Sequence, residues 1–374
     1  MIKEVEAKSI LRKHKKVDSW FVARYGMNLY RGCLHNCAYC DGRAEGYYVE
    51  GEFAKDIEVK INAPELLQKE LNPAQKKSPL KKGFMMIGGG VGDSYCAVDQ
   101  KYQLSRKVLE IIKEYDFPVH ILTKSVFVKR DIDILKEIKE KSQAIISFSF
   151  SGVDDSICKV FEPGVPLASE RLETIRFLKQ EGFPVGVFLM PVIPFVTDTE
   201  EQIENSLQKF KDAGVDFVIF GGMTLKEGRQ QEHFYSVLQD FNPTLINKYK
   251  EIYQGDKWGG ANYAYYNELN ARFFKLAGKY KIPVRIPARL FSRFINQNDV
   301  VTVILEQMDY ILKQKGEKTP YGYGAYSISQ LDKPVSEYRN VLTSLKGIGP
   351  VTEKIILEIL ETGTSTYYEK VLFS

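Results

Sequence analysis

A chain of 374 residues exceeds one average domain, and 44% hydrophobic with 27% charged residues is the composition of an ordinary water-soluble globular protein. No run of about 18 apolar residues occurs, which excludes a membrane-spanning helix of the usual kind. A net charge of +4 is too mild to require a nucleic-acid partner by itself.

The opening MIKEVEAKSILRKHKK is charged and has no apolar core, so no secretory signal is expected and the protein reads as cytoplasmic. Five cysteines, an odd number, then point to metal or reactive thiols, because a reducing compartment does not sustain a disulfide framework. Residues 1–22 form a lead segment, and a first strand is expected near ARYGMNLYRG (23–32). Further strands are expected at FMMIGGG (84–90), VHILTKS (119–125), AIISFSF (144–150), VGVFLMPVI (185–193) and FVIFGG (217–222). Most are apolar on both faces, as in a parallel sheet covered on both sides. The intervening segments 101–115, 128–141, 168–182 and 199–214 carry helical periodicity and are long enough for right-handed crossovers. Gly182 and Gly214 are read as helix terminators, and Thr197 or Asp198 as the cap of the helix entering at 199. Six βα units in sequence give an α/β fold, a partial (β/α)6 barrel spanning 23–240.

Beyond residue 240 the alternation ends. Residues 241–325 read as an aromatic-rich helical extension, with TPYGYGAYSIS (319–329) a loop, and 326–374 as a helical tail. Within the tail, LTSLKGIGPVTEKIILEIL (342–360) reads as helix, tight turn, helix.

Three cysteines, Cys33, Cys37 and Cys40, fall in the stretch RGCLHNCAYC with the spacing C-x3-C-x2-C. Thiolates suit the iron of a [4Fe–4S] cluster, because soft, deprotonated sulfur matches the metal and balances its charge. Three ligands would leave one iron open to a small chelating molecule. The competing reading is a zinc site with His35 as fourth ligand, although closed zinc sites usually join two separate knuckles and no second C-x2-C is present. Arg31 and Asn36 are candidate donors to the cluster sulfides, or plain loop polarity.

The spacing, with Tyr39 before the last cysteine, resembles the radical S-adenosylmethionine (SAM) superfamily. That resemblance implies a [4Fe–4S] cluster whose open iron binds the SAM amine and carboxylate, a 5′-deoxyadenosyl radical, and a one-electron donor such as flavodoxin or ferredoxin. GGGVGD (88–93) resembles the superfamily's glycine-rich motif, so Gly88, Gly89, Gly90 and Asp93 join Tyr39 as candidate cofactor-binding residues. More closely, NLYRGCLHNCAYC (28–40), EVKINAPELL (58–67), ILTKS (121–125), SFSFSGVDDSICKVFEPG (147–164) and GFPVGVFLMPVIP (182–194) resemble the spore photoproduct lyase and photolyase-like family. Lys124 is then the lysine on the SAM carboxylate and Ser149 the serine bonded to SAM, with Ser147 sharing its parity. Glu162 is left between a ribose contact and a turn cap. The family's hydrogen-returning cysteine aligns near Gly90. Cys96 and Tyr95 are the remaining candidates for that step, each set against ordinary packing, and Cys158 reads as core.

The tail turn resembles a helix-hairpin-helix. Gly347 and Gly349 would let the turn approach a phosphate, with Lys346 and Lys354 beside it, giving a possible DNA or RNA contact; a bare helical hairpin is the alternative. Tyr and Arg residues within 249–293 are either base-stacking groups or aromatic core. Three functions follow. The first is a radical SAM enzyme acting on nucleic acid, photolyase-like in repair or base modification. The second moves the same chemistry to a peptide or small molecule, and the third is a non-catalytic protein that binds metal and nucleic acid.

Overall fold

Short apolar runs with no polar face fit strands of a sheet covered on both sides, and five of them form such strands here. The computed structural model describes residues 1–45, 51–75 and 79–373. Its strands are β1 (Ile2–Val5), β2 (Leu11–Asp18), β3 (Ala23–Met27), β4 (Tyr30–Arg31), β5 (Ile57–Lys60), β6 (Phe84–Ile87), β7 (Val119–Thr123), β8 (Ala144–Phe150), β9 (Val185–Val192) and β10 (Phe217–Gly222). Seven form one sheet in the order β10-β9-β8-β7-β6-β3-β2. The run from β3 to β10 is parallel throughout, and β2 lies antiparallel against β3. The sheet curls into a half-barrel, the partial α/β barrel expected. β1, β5 and β4 make a separate small sheet.

The crossovers expected from helical periodicity are helices Leu104–Glu114, Ile132–Lys141, Ala168–Gln180 and Glu200–Asp212. Gly182 (φ 76°) and Gly214 (φ 80°) follow the last two in the left-handed conformation, which costs glycine least. The cap of the last helix is Thr199, whose side chain accepts from the Gln202 N–H. Thr197 and Asp198 instead accept from the N–H groups of Ile193 and Phe195, closing the turn after β9.

Two expectations change. The lead segment 1–22 is built into both sheets: β1 pairs with β5, and β2 extends the half-barrel. Its LRKHKK run reads as solvated charge because an edge strand keeps one face in water, and lysine there also deters further pairing. TPYGYGAYSIS contains a helix, Tyr321–Ser329, where a loop was expected. Its glycines serve close packing: a Cβ on Gly322 would lie 2.8 Å from the Asp309 carboxylate, and one on Gly324 lies 3.6 Å from Leu305. Both neighbours belong to the largely buried helix Gln297–Gln314.

The aromatics of 249–293 are mainly core. Tyr249 and Tyr253 are buried and donate to the carbonyls of Pro194 and Met223. Phe273 stacks on Phe220 of β10 at 4.1 Å, and buried Arg285 lies between Trp20 and Tyr310, 4.5 and 3.8 Å from the ring centres. Trp258 and Tyr263 are the exceptions and stand exposed. Among the described residues no helix is long and apolar enough to cross a membrane.

Candidate cluster and cofactor site

The cysteine loop leaves β4 at the end of the barrel where the parallel strands finish. Backbone bonds hold it from outside: the Ala38 N–H donates to the Phe161 carbonyl (2.8 Å) and the Gly164 N–H to the His35 carbonyl (3.0 Å). A Cβ on Gly164 would stand 2.4 Å from the Leu34 carbonyl, so only glycine allows this approach. The FEPG element therefore clamps the loop.

His35 ties a second side. Its Nδ1 lies 3.0 Å from the Gly164 carbonyl and its Nε2 3.0 Å from Asp93 Oδ2. Asp93 also accepts from Thr123 Oγ1 (2.8 Å) and from the N–H groups of Lys124 (2.7 Å) and Tyr95 (2.8 Å). Burial opposes its charge, but the His35 contact and these N–H donors outweigh it and hold the carboxyl below its usual range. One carboxylate thus joins the cysteine loop, the glycine loop and the end of β7.

The thiols of Cys33, Cys37 and Cys40 line one cavity of about 1340 Å³. Burial pushes all three up, Cys37 to about 12 even with Lys124 nearby, so an empty loop holds them protonated and metal loading releases protons. Among the described residues no three His, Cys, Asp or Glu side chains converge on one point as a single ion requires. Both His35 nitrogens are engaged, which removes the fourth zinc ligand. Three thiols in one loop on one cavity, without a fourth donor, suit a cluster whose irons each take one sulfur. Asn36 accepts from Arg43, and Arg31 pairs with Glu58 at 2.8 Å. Arg43, which sequence reasoning missed, also donates to the Cys37 carbonyl and stacks on Phe53.

The same cavity is lined by Tyr39, Gly88, Gly89, Gly90, Asp93, Lys124 and Ser149. Gly88 (φ 87°) is obligatory, since a Cβ would sit 2.2 Å from the Leu122 carbonyl oxygen. At Gly90 a Cβ would meet nothing within 4 Å. Lys124 Nζ donates to Ser149 Oγ (2.9 Å) and Glu162 Oε1 (3.0 Å), and Ser149 donates to the Met190 carbonyl (3.0 Å). Ser147, of equal parity, is fully buried and bonded to His120, so Ser149 alone of the two faces the cavity. The backbone of Glu162 caps the helix Asp155–Phe161, while its side chain caps no turn and does not line the cavity. It is fully enclosed, paired with Arg171 at 2.6 Å, and accepts from Tyr39. Burial works against its ionisation, but Arg171 and Lys124 more than reverse this and drive its carboxyl far below the usual range. The charges of Lys124, Arg171 and Glu162 leave a net positive corner beneath Ser149.

Tyr95 and Cys96 do not join this surface. Both are fully buried and neither lines the cavity; the Tyr95 ring lies beneath Arg130, and burial drives the Cys96 thiol to about 12. Neither is placed here to pass a hydrogen atom directly to a group in the cavity. Cys158 is core, as expected.

The tail residues lie elsewhere. A single 3-10 turn, Leu342–Ser344, stands where the first tail helix was expected, and Pro350–Thr362 is the second. Gly347 (φ 81°) presses on the helix Tyr321–Ser329, where a Cβ would be 2.5 Å from that of Tyr323. The Lys346 carbonyl accepts from Ser327, and its ammonium lies 5.7 Å from the Tyr323 ring. Gly349 has open space before it, and Lys354 lies on the second helix.

Comparison with known proteins places this geometry. The profile of the Radical SAM superfamily matches residues 27–207. An uncharacterized protein of Acidianus two-tailed virus is 31% identical over 230 residues, covering 59% of this chain and 72% of the relative. An uncharacterized protein of Mycobacterium tuberculosis (strain H37Rv) is 26% identical over 283 residues, covering 75% and 81%. Among solved structures, a tyrosine-to-phenylalanine mutant of spore photoproduct lyase aligns with a TM-score of 0.54 at 16% identity, over 75% of this chain and 79% of that one. A double mutant of that enzyme with bound AdoMet and dinucleoside spore photoproduct aligns at 0.52 and 18%, over 72% and 78%. These two likenesses are of fold. With the profile match and the three-thiol loop at the strand ends, the chain belongs to the radical SAM superfamily, whose cofactors are a [4Fe–4S] cluster and S-adenosylmethionine.

Proposed function

We propose that Cys33, Cys37 and Cys40 hold the cluster, that Lys124, Ser149 and the backbone of residues 88–90 hold SAM against it, and that the substrate is a nucleic acid. The observation that carries this reading is the convergence of all these groups on one cavity. When bound, the cluster supplies one electron that splits the sulfonium into methionine and a 5′-deoxyadenosyl radical able to remove a substrate hydrogen atom.

The chain's own groups orient and neutralise. Lys124, steadied by Glu162 and backed by Arg171, offers net positive charge where a methionine carboxylate has to be held. Gly88 and Gly89 expose backbone for a close approach, and Asp93 acts as a positioning residue through His35. A nucleic acid is favoured by the fold's likeness to a lyase whose structure holds a dinucleoside photoproduct. Cavity-lining cysteines among the described residues are limited to the three of the loop, which argues against spore-type repair ending at a protein thiol.

Oxygen-free reconstitution tests the proposal. The protein is expected to take up about four irons per chain and each cysteine-to-alanine variant to lose them. With dithionite and SAM, 5′-deoxyadenosine is expected to form faster when DNA or RNA is added. Indifference to both, with acceleration by a peptide, would move the substrate to the second class.

A further inference from the structure

Resting on the nucleic-acid reading above, we infer that the antiparallel edge strand β2 is the wall that grips the substrate's phosphodiester backbone, through Arg12 and His14. Alternation along a strand sends every second side chain to one face. Here the even-numbered residues Ile10, Arg12, His14 and Asp18 line the same cavity as the three thiols. Arg12 pairs across the strands with Gly26 of β3, which also lines the cavity. A Cβ there would lie 3.7 Å from His14 Nε2, so the missing side chain leaves open floor beside the imidazole.

The charges are unbalanced at this wall. Deeper in the cavity each carboxylate is engaged: Asp93 by His35 and backbone donors, Asp41 by Lys226 and Thr224. On β2, Asp18 accepts from the N–H groups of Trp20 and Phe21. Arg12 and His14, by contrast, make no hydrogen bond or ion pair with any other side chain among the described residues. Lys60, also lining the cavity, donates among the described residues to the Asn28 carbonyl. A guanidinium left free over a cavity, with an imidazole two residues along the same face, matches an anion presented in a line, and a phosphodiester chain has that form. The residues proposed to hold SAM follow β6 and β7 or lie on β8, inside the sheet from this edge, so a strand lying along the wall runs beside them.

The test is equilibrium binding of a fluorescein-labelled single-stranded DNA oligomer and its uncharged methylphosphonate counterpart to the cluster-loaded, SAM-bound protein without reductant. The phosphodiester is expected to bind tighter, with affinity that falls as salt rises, while the neutral oligomer is indifferent to salt. Arg12→Ala with His14→Gln is expected to weaken the phosphodiester about tenfold or more and to leave the neutral probe unmoved. Equal affinity for the two probes overturns the proposal. So does full retention of binding in that variant with loss in Lys346→Ala/Lys354→Ala, which would put the backbone grip on the tail. The salt dependence of the unmodified protein decides the first point even if a variant misfolds. Failure of the radical reading is seen separately, as absence of 5′-deoxyadenosine from the unmodified protein once reductant is added.

Discussion

Two glycines two positions apart show how finely a single residue sets this site. Gly88 has positive φ and a carbonyl 2.2 Å from where its Cβ would be, whereas Gly90 faces open cavity without positive φ. Gly88→Ala is therefore expected to lose several kcal/mol or fail to fold, by strain and overlap together. Gly90→Ala should keep its melting temperature within a few degrees and change only SAM affinity. Thermal unfolding of both, with SAM titration of the survivors, checks the contrast. The sequence presents both as members of one Gly triplet, and nothing in GGG separates them. The cysteines were legible because three thiols at this spacing serve few purposes. Lys124 and Ser149 were legible only through the resemblance, since strand parity left Ser147 equally open. The contacts of His35 with Asp93, 58 positions on, and of Glu162 with Tyr39 and Lys124, 123 and 38 positions back, join segments distant in the chain, and no local pattern encodes them.

At the scale of elements, the six parallel strands and their crossovers were readable from apolar runs and helical periodicity, because both report burial directly. The edge strand β2 and the helix Tyr321–Ser329 were not. Charge on β2 reflects its watery edge, and glycine in the helix reflects a close neighbour; both imitate loop. Strand β7 carries a further consequence. His120 is fully enclosed between Phe21 and Phe188, bonded to Ser147 and to the Phe21 carbonyl, and burial lowers its pKa from 6.5 to about 4. The unfolded chain takes up a proton first as pH falls, so stability is whole above about 6.5 and declines towards about 4. A shift of this size corresponds to about 3 kcal/mol across that window. His120→Gln should flatten this part of the profile, read as urea midpoints near pH 7 and near pH 5. An unchanged slope would show that His120 does not govern it.

Over the whole molecule, the half-barrel and its helical extension are joined by packing that begins at the lead segment: Trp20 and Tyr310 enclose Arg285, and Lys16 pairs with Glu306. The cysteine loop sits inside this frame, fastened by contacts with Phe161, Gly164 and Asp93. Cluster-free protein is therefore expected to show the same far-ultraviolet circular dichroism as loaded protein, and to differ in melting temperature by the ligand's contribution alone. Collapse of the helical signal on iron removal would contradict it. The clamp at Gly164 has a further effect on life in air. Oxidation that strips out inorganic iron and sulfide is expected to leave their cradle standing, so recovery calls for reduced thiols and a fresh supply of both, and not for a newly made polypeptide.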